Sequence, residues 1–243
     1  MNKQKIYFCT AFAGIDLIEK LSKIYDVVCI FPRESKYLFE VSKLINFASN
    51  NEIKYFQVKK SELAYLDFVD GKASILLSAG FPLIFPRQFY QNFKFAINRH
   101  PTLSPRHRGK NVDYVFLEGD QVSGVTAHLI DDGVDTGPII LQSKFQVSDF
   151  DDTESILRNS LDLEFNVLKE IMDRVAGKTL TASPQDDSLG CTNITARNPD
   201  DSKVSKEFSL LQSDPISRGH KENYSTFFEH NVHKIIVKFE VLR

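Results

Sequence analysis

The chain has no tryptophan, 2 methionines and 3 cysteines in 243 residues. Cys9, Cys29 and Cys191 are odd in number and far apart, which argues against a disulfide framework. Cys9 and Cys29 fall inside apolar runs, so reduced, buried thiols in a cytoplasmic protein are the expectation. No stretch approaches the roughly 20 apolar residues of a membrane span. The start "MNKQKIYFCTAFAG" holds too short an apolar run for a secretory signal, so the sequon "NIT" at 193–195 carries no meaning. A formal charge of −2 supplies no electrostatic reason for a polyanion as main partner. What is abundant is phenylalanine, 20 residues, within a 42% hydrophobic composition. That supports one large domain, or one domain with a small appendage.

Short apolar runs alternate with helical patterns through the first half. Strands are expected at 5–10, 26–31, 53–58 and 73–80, with helices over 14–25, 37–51 and near 61–69. Strand and helix repeated in this way predict an α/β domain with a mainly parallel, twisted, Rossmann-like sheet. Segments 122–130 and 137–147 read as two further strands. The clearest helix spans 151–178, with Thr153 as N-cap, an apolar stripe of Leu157, Leu161, Leu168, Ile171 and Val175, and Gly177 as the stop. Beyond it the sequence is polar and turn-rich, and "HKIIVKFEVLR" (233–243) alternates like a strand. A boundary near 180 is expected, giving a domain over 1–180 and a small β-rich region over 181–243.

The chemistry concentrates in "INRHPTLSP" (97–105). On a strand, Asn98 and His100 are two residues apart and point to one side, and Pro101 ends the ladder behind them. A second polar stretch, "LIDDGVDTGP" (129–138), puts Asp131, Asp132 and Asp135 in a loop bracketed by glycines. Open α/β sheets bind ligands at strand ends, and both loops are expected to share one such crevice. An amide, an imidazole and a carboxylate together suit attack by an amine on a carbonyl. Taken alone, Asn98 can equally cap a turn, and His128 reads as a structural hydrogen-bonding residue. His128, His100 and Asp135 lack paired ligand spacing, so no metal is expected. "FCTAFAG" (8–14) lacks a dinucleotide glycine fingerprint, so no nicotinamide is expected. Segment 106–110 reads equally as a solvated turn or as a source of anion contacts.

"INRHPTLSPRHRG", followed by "GVTAHLIDDGVDTGPIILQ", resembles the folate-dependent formyltransferases over residues 5 to 175. The resemblance implies a formyltransferase fold and transfer of a formyl group from 10-formyltetrahydrofolate to a primary amine. It places Asn98, His100 and Asp135 on the family's catalytic residues. It also implies a pterin site formed by Pro82, Leu83, Ile84 and Phe85 on one side and Ile130, Asp132 and Gly133 on the other. Thr102 keeps a hydroxyl where the family usually has serine, Ser104 replaces a leucine, and Pro82 removes one backbone donor from the pterin loop.

Among acceptors, the extent of the chain and its appendage resemble the nucleotide-sugar N-formyltransferases, which serve lipopolysaccharide or O-antigen biosynthesis and whose tails often form homodimers. The implied partner is a nucleotide-linked amino sugar, its diphosphate met by Arg106, Arg108 and Lys110, with no nucleic acid and no membrane. Formylation of glycinamide ribonucleotide or of methionyl-tRNA are the alternatives within the family. A non-catalytic folate- or nucleotide-sugar-binding module on the same fold is the alternative outside it.

Overall fold

The computed structural model describes residues 3–12, 14–66, 74–109 and 112–190, together with the backbone of 227–230 and 233–236. Seven strands form one sheet in the order β3-β2-β1-β4-β5-β6-β7. The strands are β1 (Lys5–Cys9), β2 (Asp26–Pro32), β3 (Tyr55–Val58), β4 (Ile75–Ala79), β5 (Phe95–His100), β6 (Val122–Leu129) and β7 (Ile139–Gln146). The first five pair in parallel, whereas β6 is antiparallel to both β5 and β7. The chain winds outward from β1 to β3 and then restarts on the other side of β1 with β4, which is the topological switch of a doubly wound sheet. The buried strands are almost unbroken apolar runs, as a sheet covered on both faces requires. Cys9 and Cys29 are free and buried in two of them, and Cys191 lies outside the described residues.

One face is covered by α1 (Ile15–Ile24), α2 (Leu38–Asn50) and α5 (Thr153–Ala176), which bury Leu21, Leu44, Leu168 and Ile171 against Phe8 and Phe31. The other face carries the short helix α3 (Arg87–Tyr90) and a run of stacked and edge-on rings, Phe81, Phe85, Phe89 and Phe93. A further four-residue helix, α4 (Tyr114–Leu117), precedes β6. The helix expected near 61–69 is, among the described residues, a single 3-10 turn at Leu63–Tyr65, and residues 67–73 lie outside them. Leu66 is already extended, and Tyr65 is 84% exposed, so no apolar stripe sustains a longer helix there.

Two details of α5 differ from expectation. The N-cap is Asp152 rather than Thr153: its side chain accepts from the Ser155 N–H at 3.0 Å, while the Ser155 hydroxyl accepts from the Asp152 N–H at 2.9 Å. The buried stripe runs through Ile156, Ser160, Glu164, Val167, Leu168, Ile171 and Val175, one position away from Leu157 and Leu161, which are half-buried. A polar Ser160 and Glu164 on the buried face disguised the true stripe. Residues 183–190 return to the sheet after α5, Ser183 pairing with Ile139. Farther on, β8 (Phe227–His230) and β9 (His233–Ile236) form an antiparallel pair, and the rest of the expected strand at 233–243 lies outside the described residues.

Ser160 and Glu164 hold the strand that carries the site. The Ser160 hydroxyl donates to the carbonyl of Pro101 at 3.0 Å. Arg99, between Asn98 and His100 but on the opposite side of β5, donates through Nε to Glu164 at 2.7 Å, and both side chains are fully enclosed. Burial pushes the Glu164 carboxyl up from its ordinary value, against the downward pull of Arg99. Glu164→Leu, which strands the Arg99 cation, is expected to lose about 3–5 kcal/mol of stability. The double variant Arg99→Met/Glu164→Leu should recover most of it. Urea unfolding checks both, and a single variant within about 1 kcal/mol of wild type contradicts the assignment of the pair.

Candidate active site

Asn98 and His100 project from the same side of β5, and Pro101 ends the strand at His100 as expected. The register pairs His100 with Thr126 and Ile97 with Leu129. Because β6 is antiparallel, its carboxyl end lies level with Ile97 and not with the Pro101 turn. The two polar loops therefore do not share one strand end. Instead, the loop after Leu129 folds back along the face of β5, starting with the Ile130 N–H on the carbonyl of Ala96 at 2.8 Å. This path delivers the Asp135 carboxylate to Asn98 and His100.

The carboxylate is mostly buried, and each oxygen meets one fixed donor and one imidazole nitrogen. Its Oδ1 accepts from Asn98 Nδ2 at 3.0 Å and faces His128 Nε2 at 3.2 Å. Its Oδ2 accepts from the Gly109 N–H at 3.0 Å and faces His100 Nδ1 at 3.2 Å. Gly109 has φ +71, a left-handed conformation that glycine adopts without penalty and that aims its N–H here. Burial opposes ionisation of Asp135. The facing His100, the hydrogen bond and charge of His128, and the Gly109 N–H outweigh it and hold the carboxyl well below the usual carboxylate range.

His100 is clamped at both nitrogens. Nε2 donates to the carbonyl of His107 at 2.9 Å while Nδ1 faces Asp135. Burial lowers its pKa, the carboxylate of Asp135 and the His107 carbonyl pull it upward, and His128 and Arg99 add to the lowering; the net shift is downward. Protonation satisfies both oxygen partners at once, whereas the uncharged ring leaves one lone pair facing an oxygen. His100 is thus arranged to take up a proton from a reacting group and hold it. His128 donates through Nδ1 to the Leu129 carbonyl at 2.8 Å, which leaves Nε2 to meet the second amide hydrogen of Asn98 at 3.3 Å. The Asn98 amide is therefore oriented from two sides.

The turn behind β5 is rigid rather than solvated. Thr126 Oγ1 donates to the Thr102 carbonyl and accepts from the Ser104 N–H, and Gln142 Nε2 donates to the Ser104 carbonyl at 2.7 Å. The His107 ring is buried against Asp120. Arg106, 52% exposed at its side chain, spans Asp120 and Glu118, while Arg108 is buried and donates to Asp187 at 2.7 Å. Both arginines expected beside a diphosphate are thus already engaged by carboxylates, and Lys110 lies outside the described residues.

A cavity of about 240 Å³ opens beside Asn98, His128 and Asp135. Pro82, Leu83, Ile84, Phe85, Ile130 and Gly133 line it as expected, together with Ser78, Phe81, Asp131 and Val134. Its walls are the loop after β4 and the loop after β6, apolar on both sides, with the polar cluster at the floor. Asp132 is not among the lining residues. Its carboxylate is taken by Arg87 and by the Tyr90 hydroxyl, the latter at 2.6 Å, so that it ties α3 to the opposite wall. A larger, open groove of about 870 Å³ lies near the other end of the sheet, where Lys23 is matched by Glu19. It contains no comparable cluster.

Sequence reasoning missed the Gly109 N–H, the His107 carbonyl and the part played by His128. The Arg-Gly pair at 108–109 was the available signal for the first. The second is a backbone atom and carries none.

The doubly wound α/β sheet thus carries an amide, two imidazoles and a carboxylate beside an apolar cleft. The chain matches the formyl transferase family over residues 40–172, and it belongs to that family. A methionyl-tRNA formyltransferase from Chlorobium chlorochromatii is 30% identical over 119 residues, covering 49% of this chain and 38% of that protein. The match thus spans well under half of that relative's length. A 4-N formyltransferase from Francisella tularensis superposes with a TM-score of 0.75 at 18% identity, covering 99% of this chain and 98% of its own. An N-formyltransferase from Helicobacter canadensis, solved with folinic acid and dTDP-3-aminofucose, gives a TM-score of 0.70 at 21% identity, covering 97% and 87%. Among the described residues no helix is long and apolar enough to cross a membrane.

Asp135→Asn is expected to lower the pKa of His100 further, because burial persists while the opposing carboxylate is gone. Titration of the imidazole protons by NMR checks this. An unchanged or raised value contradicts the pairing.

Proposed function

We propose that this protein transfers a formyl group from 10-formyltetrahydrofolate to the primary amine of a nucleotide-linked amino sugar. The observation that carries the reaction class is that Asn98 and Asp135 meet at the floor of the apolar cavity with His100 directly behind Asp135, in a chain of the formyl transferase family. The cavity suits a flat heteroaromatic ring held between Phe81, Leu83 and Phe85 on one wall and Ile130 and Val134 on the other. Backbone groups of 130–135 supply polar contacts at its edge. Asp132 contributes by holding the two walls together rather than by touching the ring.

The donor supplies an activated formyl carbon. Attack by a neutral amine places negative charge on the formyl oxygen and positive charge on nitrogen. Asn98 gives up its long 3.3 Å contact with His128 and donates that amide hydrogen to the oxygen as the carbonyl becomes an oxyanion. His100 takes the amine proton: its lowered pKa leaves it largely uncharged at neutral pH, and the Asp135 carboxylate stabilises the imidazolium that results. The proton then passes to the departing folate nitrogen.

The acceptor class is supported by the sugar N-formyltransferases, whose folds match along nearly the whole chain. Arg106 and Arg108 lie in the turn that follows the catalytic strand, and a diphosphate bound there would take the place of their carboxylate partners Asp120 and Asp187. Lys110 completes this proposed set. A homodimer formed through 181–243, with the catalytic domain at 1–180, belongs to the same proposal; the first part of that region, 183–190, lies against the catalytic domain. Methionyl-tRNA is the second reading, favoured by the sequence relatives.

His100→Asn is expected to lower turnover by at least about a hundredfold with the fold preserved, and Asn98→Ala by a comparable factor. A mass-spectrometric screen of dTDP- and UDP-linked amino sugars with 10-formyltetrahydrofolate tests the acceptor. Formylation of charged initiator tRNA or glycinamide ribonucleotide, with no amino-sugar nucleotide accepted, contradicts it.

A further inference from the structure

We infer that Gln185 is a positioning residue for the active site: it holds the backbone of Asp135 in the conformation that presents its carboxylate to Asn98 and His100. The inference rests on the catalytic reading of those residues.

Asp135 has φ +56, a left-handed conformation that costs a non-glycine residue about 1–3 kcal/mol unless its surroundings impose it. Its side chain is fixed by four groups, but a side chain fixed at its tip does not by itself fix the peptide. Gln185 does so. Its Nε2 donates to the Asp135 carbonyl at 2.7 Å and to the Gly137 carbonyl at 2.7 Å. One amide nitrogen thus spans the turn on either side of Thr136. The orientation is not interchangeable, since a flipped amide would set Oε1 against two carbonyl oxygens.

Gln185 reaches this place because the segment after α5 is anchored on both sides of it. Ser183 and Ile139 exchange backbone hydrogen bonds of 2.8 Å in each direction. Two residues beyond Gln185, Asp187 holds the buried Arg108, against whose guanidinium Gly190 packs closely. Arg108 directly precedes Gly109, whose N–H binds the Asp135 carboxylate. The strap therefore supports Asp135 from two directions, through its own carbonyl and through the Arg108–Gly109 turn. Nothing in segment 183–190 binds the catalytic side chains themselves.

Gln185→Met keeps the length of the side chain and removes both donors without adding charge. The variant, in the full chain, is expected to retain the wild-type circular dichroism spectrum. Turnover should fall by about ten- to a hundredfold, the scale of an ångström-level displacement of a reacting group, with KM for donor and acceptor changed less than about threefold. As Asp135 loosens, its upward pull on His100 weakens. The His100 pKa seen by NMR, and with it the acidic limb of the pH–rate profile, should therefore move to lower pH, toward the value in Asp135→Asn. Gln185→Glu, which faces the two carbonyls with a carboxylate, should be at least as impaired. A folded Gln185→Met with wild-type turnover and an unmoved His100 pKa overturns the inference. A drop in thermal midpoint with no shift in either readout does so as well. Should wild type show no formyl transfer, the catalytic reading fails, while the His100 titration still decides the role of Gln185.

Discussion

A buried carboxylate must be surrounded by donors, and at Asp135 that requirement organises the site. The groups around it come from β5, from β6 and from the turn after β5. Each has a further task. Asn98 and His100 line up beside the cavity, His128 orients the Asn98 amide, and Gly109 fixes the turn whose preceding carbonyl, that of His107, clamps the far side of His100. Were the carboxylate absent, Asn98 would lose one of its two orienting partners and His100 one of its two acceptors. The fold supplies what keeps this cluster from relaxing: β5 is held by its neighbours in the sheet and, from its opposite side, by α5 through the Arg99–Glu164 pair.

The same burial sets the acid–base behaviour. Desolvation makes an imidazolium costly at His100, and the carboxylate makes it affordable only in place, beside Asp135. In the proposed reaction, His100 is uncharged when the amine arrives and becomes charged when the amine gives up its proton. The apolar walls contributed by 81–85 and 130–134 keep that exchange out of bulk water, and the Asp132 tie to Arg87 and Tyr90 keeps the walls together.

Much of this was legible in the residues, because strand periodicity and proline act locally. Asn98 and His100 share a side for the simple reason that strands alternate, and Pro101 stops the ladder where it must. The mainly parallel, twisted sheet followed from alternating strands and helices. The direction of β6 did not, since 122–129 reads the same in a parallel or antiparallel pair; the Asp135 loop therefore reaches the expected partners, Asn98 and His100, by folding back along β5 rather than from a shared strand end. On α5, Leu168, Ile171 and Val175 are buried as expected, whereas the first half of the stripe is displaced by one residue from Leu157 and Leu161 because Ser160 and Glu164, polar by type, are buried through partners on β5 and its turn. Arg108 reads as an exposed cation and is instead buried on a carboxylate 79 residues away. Gln185 sits in a polar, turn-rich stretch, and its two partners lie about fifty residues earlier, beyond the reach of any local pattern.

The central claim is that the apolar cavity over the Asp135 cluster receives the formyl donor. A crystal structure of the protein with 5-formyltetrahydrofolate, a stable analogue of the donor, tests it most directly. The pterin should lie between 81–85 and 130–134, with the formyl-bearing end of the ring system directed to Asn98 and His100, close enough to leave about 3–3.5 Å between reacting atoms. A folate bound elsewhere, or one whose formyl end points away from Asn98 and His100 toward Ile84 and solvent, contradicts the account.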